Sequence, residues 1–159
     1  EFPSLAPKRE KAIILDDKRW LQCDIKSISL IYNAYAKTLA SRSEAYEAIL
    51  VRNDNITEGC SSNVFIIKDG LIKTCPKTNL ILPGITRSFI INQIIKKNNY
   101  KFKEENFSLD ELKSAEEIFV TNSTQGVIEI NRLDDKVIGD EEFGPITKKI
   151  YENFVESVN

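Results

Sequence analysis

Histidine is absent from the 159 residues, and that absence removes a class of chemistry. Neither a Ser-His-Asp nor a Cys-His nucleophile system can be assembled within this chain. Acid–base work must fall to Lys, Asp, Glu, Tyr or a bound cofactor. Cysteine is scarce: Cys23, Cys60 and Cys75 are an odd number with no CxxC spacing. That argues against a disulfide scaffold, leaves no metal site expected, and fits a reducing cytoplasm. An excess of one charge is also missing. There are 22 Lys and Arg against 24 Asp and Glu, with no basic stripe, so nucleic acid is not an expected partner. No apolar run is long enough to span a bilayer and no secretory h-region opens the chain, so no membrane partner is expected. Methionine is absent too; the chain reads as a fragment or processed product, and Glu1-Phe2 as a cloning remnant.

What is present alternates between strand and helix signals. Residues 11–16 read as a strand rich in branched residues. From Ser27 the period changes: Ile28, Ile31, Tyr32, Tyr35 and Leu39 predict an amphipathic helix over 27–42 with one buried face. Residues 46–51 are β-rich, followed by the turn Asn53-Asp54-Asn55. Residues 63–67 and 71–75 predict a hairpin about Lys68-Asp69-Gly70. The tight loop 81–86 opens a second helix with Phe89, Ile90, Ile91, Ile94 and Ile95 on its apolar face, ended by Asn98-Asn99. A strand is expected near 101–106, then a capping box at Ser108-Leu109-Asp110-Glu111. Strands follow near 118–121, 127–130 and 136–138, and Gly144-Pro145 opens a last helix with Ile146, Ile150, Phe154 and Val158 on one face. Without a regular βαβ alternation, repeat or linker, residues 1–159 read as one domain of mixed α/β (α+β) class.

Four stretches can carry chemistry. Lys26 ends Arg19-Trp20-Leu21-Gln22-Cys23-Asp24-Ile25-Lys26, just before the helical pattern. An ε-ammonium held there without water or partner is costly, so a dry Lys26 is expected to pair, deprotonate or react. A neutral lysine amine forms Schiff bases with aldehydes, pyridoxal phosphate included. The plainer alternative pairs Lys26 with Asp24 or snorkels it to solvent. The second stretch, Thr57 to Asn63, sets Glu58 among glycine and small hydroxyl residues; such a stretch can meet a ligand closely or be an ordinary polar turn. The third, Pro83-Gly84-Ile85-Thr86, begins a helix whose free N–H groups suit a phosphate, or Thr86 is simply an N-cap. The fourth, Thr121-Asn122-Ser123-Thr124, is a hydroxyl-rich loop that can complete a phosphate site or only turn the chain. Together they supply an amine, an acid facing a pyridine nitrogen, a helix end and hydroxyls, the parts of a pyridoxal phosphate site.

Those residues carry a resemblance. Residues 19–27 resemble the lysine segment of D-amino-acid transaminases. Tyr46-Glu47-Ala48-Ile49-Leu50, Thr57-Glu58-Gly59, Ser61-Ser62-Asn63-Val64-Phe65 and Leu82-Pro83-Gly84-Ile85-Thr86-Arg87 follow in the order seen in fold-type IV pyridoxal phosphate enzymes, a family that also includes branched-chain aminotransferases and aminodeoxychorismate lyases. The resemblance covers nearly the whole chain. It implies the large C-terminal domain of such an enzyme, with mixed strands in a pseudo-barrel flanked by helices. Lys26 would be the Schiff-base lysine and proton shuttle, Glu58 the partner of the pyridine nitrogen, and Ile85, Thr86 and Ser123 the phosphate contacts. Leu82 would pack on the ring, and Arg19 would lie on the phosphate side. The implied reaction moves an amino group between an amino acid, of D or branched-chain type, and a 2-oxo acid. An N-terminal small domain that recognises the substrate carboxylate, and a homodimer partner, are implied as well.

Two departures from the family pattern leave alternatives. Ile31 stands where branched-chain relatives carry a tyrosine, with Tyr32 off by one, as in D-amino-acid enzymes. The loop Thr121 to Gly126 looks more like that of aminodeoxychorismate lyases, which release pyruvate and 4-aminobenzoate. A fragment or degenerate relative that acts only as a cofactor-binding module is the third reading: Lys26 and Glu58, both present, speak against degeneracy, and the expected absence of the small domain speaks for a binding module.

Overall fold

Alternation along the strands divides the interior in two. In Asn63–Lys68, Val64 and Ile66 enter one apolar cluster while Phe65 and Ile67 enter another on the opposite face. A strand buried on both faces is the pattern of a sheet with packing on each side. The computed structural model describes residues 7–140 and 142–158; the Glu1-Phe2 start lies outside them.

The chain runs β1 (Arg9–Asp16), α1 (Ile31–Arg42), β2 (Glu47–Arg52), β3 (Asn55–Gly59), β4 (Asn63–Lys68) and β5 (Leu71–Thr74). Then α2 (Ile85–Phe89) continues into a π-helical stretch (Ile90–Ile95), followed by β6 (Lys101–Glu104), α3 (Leu109–Lys113), β7 (Glu117–Asn122), β8 (Gly126–Leu133), β9 (Lys136–Val137) and α4 (Pro145–Val158). The strands form a mixed sheet in the order β3-β2-β1-β8-β7-β4-β5-β6, with β9 beside β8. β1 is parallel to both β2 and β8, whereas β2–β3, β7–β8, β4–β7 and β4–β5 are antiparallel.

β3 and β4, far apart in that order, also meet, because one leads directly into the other: the Gly59 N–H donates to the Ser62 carbonyl at 2.8 Å and the two strands lie together. The sheet is therefore curled. One cluster, with Ala12, Ile49, Ile56, Val64, Val120 and Ile128 among its members, draws on every strand from β3 round to β4. On the outer face α2, the π-helical stretch and α4 cover Phe65, Ile67, Ile72 and Phe119, and α1 covers Ile13, Ala48 and Leu50. Each fully buried Ile, Leu or Phe contributes roughly 1.5–3 kcal/mol relative to its exposed state, so the two-faced burial is the main source of stability.

Local signals explain most boundaries. Asn53 and Asp54 have φ of 50° and 63°, and Asp69 and Gly70 have 51° and 70°, so both hairpins turn through paired left-handed residues that match strand twist. The Ser108–Glu111 capping box forms with both bonds. The second helix departs from the expectation of a plain α-helix. Lys96 N–H bonds the Ile91 carbonyl at 3.0 Å and Tyr100 N–H the Ile95 carbonyl at 3.1 Å, five residues back in each case, which widens the turns. Ile90, Ile91, Ile94 and Ile95 are all buried by this winding.

The first helix is a correction. It begins at Ile31, not Ser27, and the expected face is not the buried one. Ile28 is 98% exposed, Ile31 90% and Tyr35 55%; Ala36 and Ala40 face the sheet, with Tyr32 and Leu39 packed at the edge. Small alanines allow the helix close to the sheet, and among the described residues no element lies over the large apolar side chains. No helix among the described residues is long and apolar enough to cross a membrane.

Candidate active site

Glu58 lies one residue before the end of β3, in the stretch where the β2–β3 register is irregular. Its carboxylate is buried and bonded at both oxygens. Arg19 Nη1 donates to Oε1 at 2.5 Å, Asn63 Nδ2 to Oε2 at 3.0 Å, and the Leu82 N–H to both oxygens at 3.1 and 3.0 Å. Burial pushes the Glu58 carboxyl up, to about 7, against the opposing pull of Arg19 and the Leu82 N–H.

Arg19 is held from its other side by Asp17. Nε donates to Oδ1 at 2.9 Å and Nη2 to Oδ2 at 2.8 Å, the side-on fork that a planar guanidinium makes with a carboxylate. Asp17 also accepts from Thr57 Oγ1 at 2.9 Å and forms an ion pair with Arg52, its Oδ1 3.0 Å from Nη2. Burial alone would push Asp17 up, but the hydrogen bonds and charge of Arg19 outweigh it and hold the carboxyl at about 2. Buried Arg19 and half-buried Arg52 thus share one network with the two buried carboxyl groups.

Asn63 connects this network to the helix start. Its Nδ2 also donates to the Leu82 carbonyl at 2.9 Å, and its Oδ1 accepts from the Gly84 N–H at 3.1 Å. A Cβ on Gly84 would come within 2.6 Å of that Oδ1, so only glycine permits this approach. α2 begins at the next residue, with Ile85 exposed and Thr86 buried. The first N–H groups of a helix have no carbonyl of their own helix to bond. Asn63 also pairs in register with Thr121, which places the loop after β7 at the same end of the sheet. There Asn122 Oδ1 accepts from Thr124 N, Thr124 Oγ1 and Gln125 N, and its Nδ2 reaches the Tyr46 hydroxyl at 2.9 Å. Ser123 at the tip is exposed.

The structure brings together Glu58, Arg19 and Leu82, with Ile85 and Thr86 directly beyond Gly84. Arg19 is not bonded to residues 85–86: its partners are Asp17, Glu58, Thr57 and the Leu80 carbonyl. The expectation of a dry, inward Lys26 is overturned. Lys26 is exposed, and its side chain has no partner among the described residues, Asp24 included. The segment that carries it is nonetheless fastened beside the site. Cys23 N–H bonds the Asn79 carbonyl at 2.8 Å and Asn79 Nδ2 the Leu21 carbonyl at 2.7 Å; Arg19 Nη2 reaches Leu80 O at 3.0 Å. Lys26 follows Cys23 by three residues, about 10 Å of extended chain at most. Its amine is exposed because Trp20, Leu21, Ile25 and Ile28 around it are exposed too, and no described element packs over them.

Sequence reasoning missed Asp17, Asn63, Arg52 and Arg87 as structural partners. Asp17 carried a signal in retrospect, since a carboxylate two residues before an arginine can fork it. Arg87 carried none: it is fully buried and bonds the Cys75 carbonyl at 2.7 Å and Glu104 at 2.8 Å, partners 12 and 17 residues away. All three cysteines are free and buried, and burial pushes each thiol up, Cys60 and Cys75 to about 12, so none supplies a thiolate at neutral pH.

With this geometry established, the chain can be set beside known proteins. Residues 2–133 match the amino-transferase class IV family. The D-alanine aminotransferase of Bacillus licheniformis is 43% identical over 154 residues, which are 94% of this chain and 54% of that protein. That of Staphylococcus aureus is 45% identical over 142 residues, 89% of this chain and 50% of that one. Among solved structures, the branched-chain aminotransferase from Thermoproteus uzoniensis with norvaline superposes with a TM-score of 0.87 at 26% identity, covering 95% of this chain and 52% of that chain. The branched-chain amino acid aminotransferase of Escherichia coli gives 0.83 at 27%, covering 98% and 54%. The chain spans about half the length of the curated relatives it matches.

Proposed function

Because the chain belongs to the class IV aminotransferase family, we propose that it is the cofactor-holding half of a pyridoxal phosphate-dependent aminotransferase acting on a D-amino acid and a 2-oxo acid. The observation that carries the reading is the Asn63 amide, which ties the buried carboxylate of Glu58 to the backbone at Leu82 and Gly84. That tie sets an acid and a helix start on one wall. The residues fit the group: a carboxylate, a glycine that permits backbone approach, an unpartnered hydroxyl at exposed Ser123 and a free primary amine at Lys26.

In this reading Lys26 would hold the cofactor covalently through its amine until the substrate's amine displaces it, and the freed Lys26 amine would then accept and return the proton at the substrate α-carbon. An exposed amine on a fastened segment has the freedom to do both. Glu58 would bond the ring nitrogen, and Arg19 with the Leu82 N–H would keep that carboxylate aimed. Leu82 would pack on the ring, and the Ile85 and Thr86 N–H groups, with the Ser123 hydroxyl, would hold the phosphate. When bound, pyridoxal phosphate supplies the electron sink that makes the α-proton acidic. The substrate carboxylate is recognised by an N-terminal small domain and the enzyme works as a homodimer in the cytoplasm; the exposed apolar residues around Lys26 and the three buried free thiols support these parts of the reading.

The test is spectroscopic and then chemical. The whole protein mixed with pyridoxal phosphate should turn yellow and bleach on borohydride, with the label on Lys26, and Lys26→Ala should stay colourless. D-Alanine turnover with a 2-oxo acid should exceed pyruvate release from aminodeoxychorismate. The reverse order would favour the lyase that the Thr121–Gly126 loop resembles, and a colourless protein that binds no cofactor would sink both.

A further inference from the structure

The proposed catalytic contacts make no use of Asp17, yet it is the most heavily bonded carboxylate in the site. Its side chain is fully buried. It takes the Nε edge and one Nη of Arg19 in a fork, and its Oδ1 also accepts the Arg19 N–H at 3.0 Å. This leaves only Nη1 of that guanidinium for Glu58, at 2.5 Å on Oε1. Oε2 is met by Asn63 and Leu82 alone. Asp17 is itself fixed from three directions: its N–H bonds the Val51 carbonyl at 2.7 Å, Thr57 donates to Oδ2, and Arg52 pairs with Oδ1.

We propose that Asp17 is the positioning residue for the contact between Glu58 and the cofactor's ring nitrogen: by forking Arg19 from behind, it limits Arg19 to one oxygen of Glu58 and keeps acceptor capacity for the ring. The inference rests on the reading of Glu58 under Proposed function. A carboxylate has about four acceptor sites, and three donors already share this one. Without the fork, Nε loses its partner and Nη2 keeps only the Leu80 carbonyl at 3.0 Å and Thr57 Oγ1 at 3.3 Å, which lets the guanidinium turn a second N–H toward Glu58. A bidentate Arg–carboxylate pair is strong and geometrically complete, so Arg19 would then compete with the ring nitrogen for the same oxygens. Asp17 acts through Arg19 and touches no reacting atom.

The experiment compares two probes on the whole protein: pyridoxal phosphate, and its analogue with carbon in place of the ring nitrogen. Both carry the same aldehyde and phosphate. The wild type should bind pyridoxal phosphate more tightly, by about ten- to a hundredfold, the range for one charged hydrogen bond. Asp17→Asn keeps size and one acceptor oxygen, and should shrink that ratio toward one while leaving affinity for the analogue nearly unchanged. Equal weakening of both probes means a structural role only and overturns the proposal. A ratio unchanged from wild type does the same. A wild type that does not distinguish the probes overturns the Glu58 reading instead, so the two failures are separable. Should Asp17→Asn fail to fold, Arg19→Lys serves. It keeps the charge but has no second nitrogen to set on Glu58 in a bidentate pair, so the ratio should be retained; a collapsed ratio refutes the role.

Discussion

Asn63 and Gly84 are joined by a 3.1 Å hydrogen bond from the Gly84 N–H to Asn63 Oδ1, across the joint where the first residue of β4 meets the start of α2. The other end of the same amide holds Glu58 and the Leu82 carbonyl. One buried side chain therefore sets the spacing between an acid and a helix end.

Asn63→Ala removes these hydrogen bonds and leaves buried groups unpaired. At about 1 kcal/mol per bond, plus the cost of an unsatisfied partner, the loss should be about 2–4 kcal/mol. Urea unfolding of the purified variant measures it. A midpoint unchanged from wild type would contradict the account of this joint.

Gly126 opens β8 with φ of 73°, and a Cβ there would overlap the ring of Phe154 on α4. Gly126→Ala should therefore lose about 1–3 kcal/mol through overpacking, with backbone strain added. The damage should be local, so amide exchange across α4 should speed up more than exchange in β4.

Acid should destabilise the protein through Asp17. Its folded value, about 2, lies below its ordinary value of 3.8, so its contribution is present above about pH 4 and disappears as pH falls toward 2. Glu58 works in the opposite sense. Raised to about 7 from 4.5, it contributes below pH 4.5 and that contribution is lost as pH rises through 7. Melting temperatures taken from about pH 2 to 8 should show both limbs. Asp17→Asn should lower the plateau and flatten the acid limb, and Glu58→Gln should flatten the neutral one.

Lys26→Ala and Ile31→Ser should leave the unliganded chain as stable as the wild type, within about 0.5 kcal/mol, because exposed side chains without partners contribute little. Calorimetry of the cofactor-free protein checks both. A drop of several kcal/mol for Ile31→Ser would mean that this apolar face is covered in solution.

Periodicity and turn chemistry in the sequence determined much of the fold. Asp69-Gly70 places the β4–β5 hairpin, Ser108 and Glu111 start α3, and Pro145 opens α4, because each feature is local and needs only its own neighbours in the chain. The segments carrying Lys26, Glu58, Leu82 and Thr86 were legible as well, since their residue types and order resembled a known family. Tertiary structure alone decided which apolar face of α1 was buried, that Arg19 would meet Glu58, and that Lys26 would stand in solvent. Those outcomes depend on contacts between residues far apart in sequence and on what lies over a surface, and no spacing pattern within one segment encodes either.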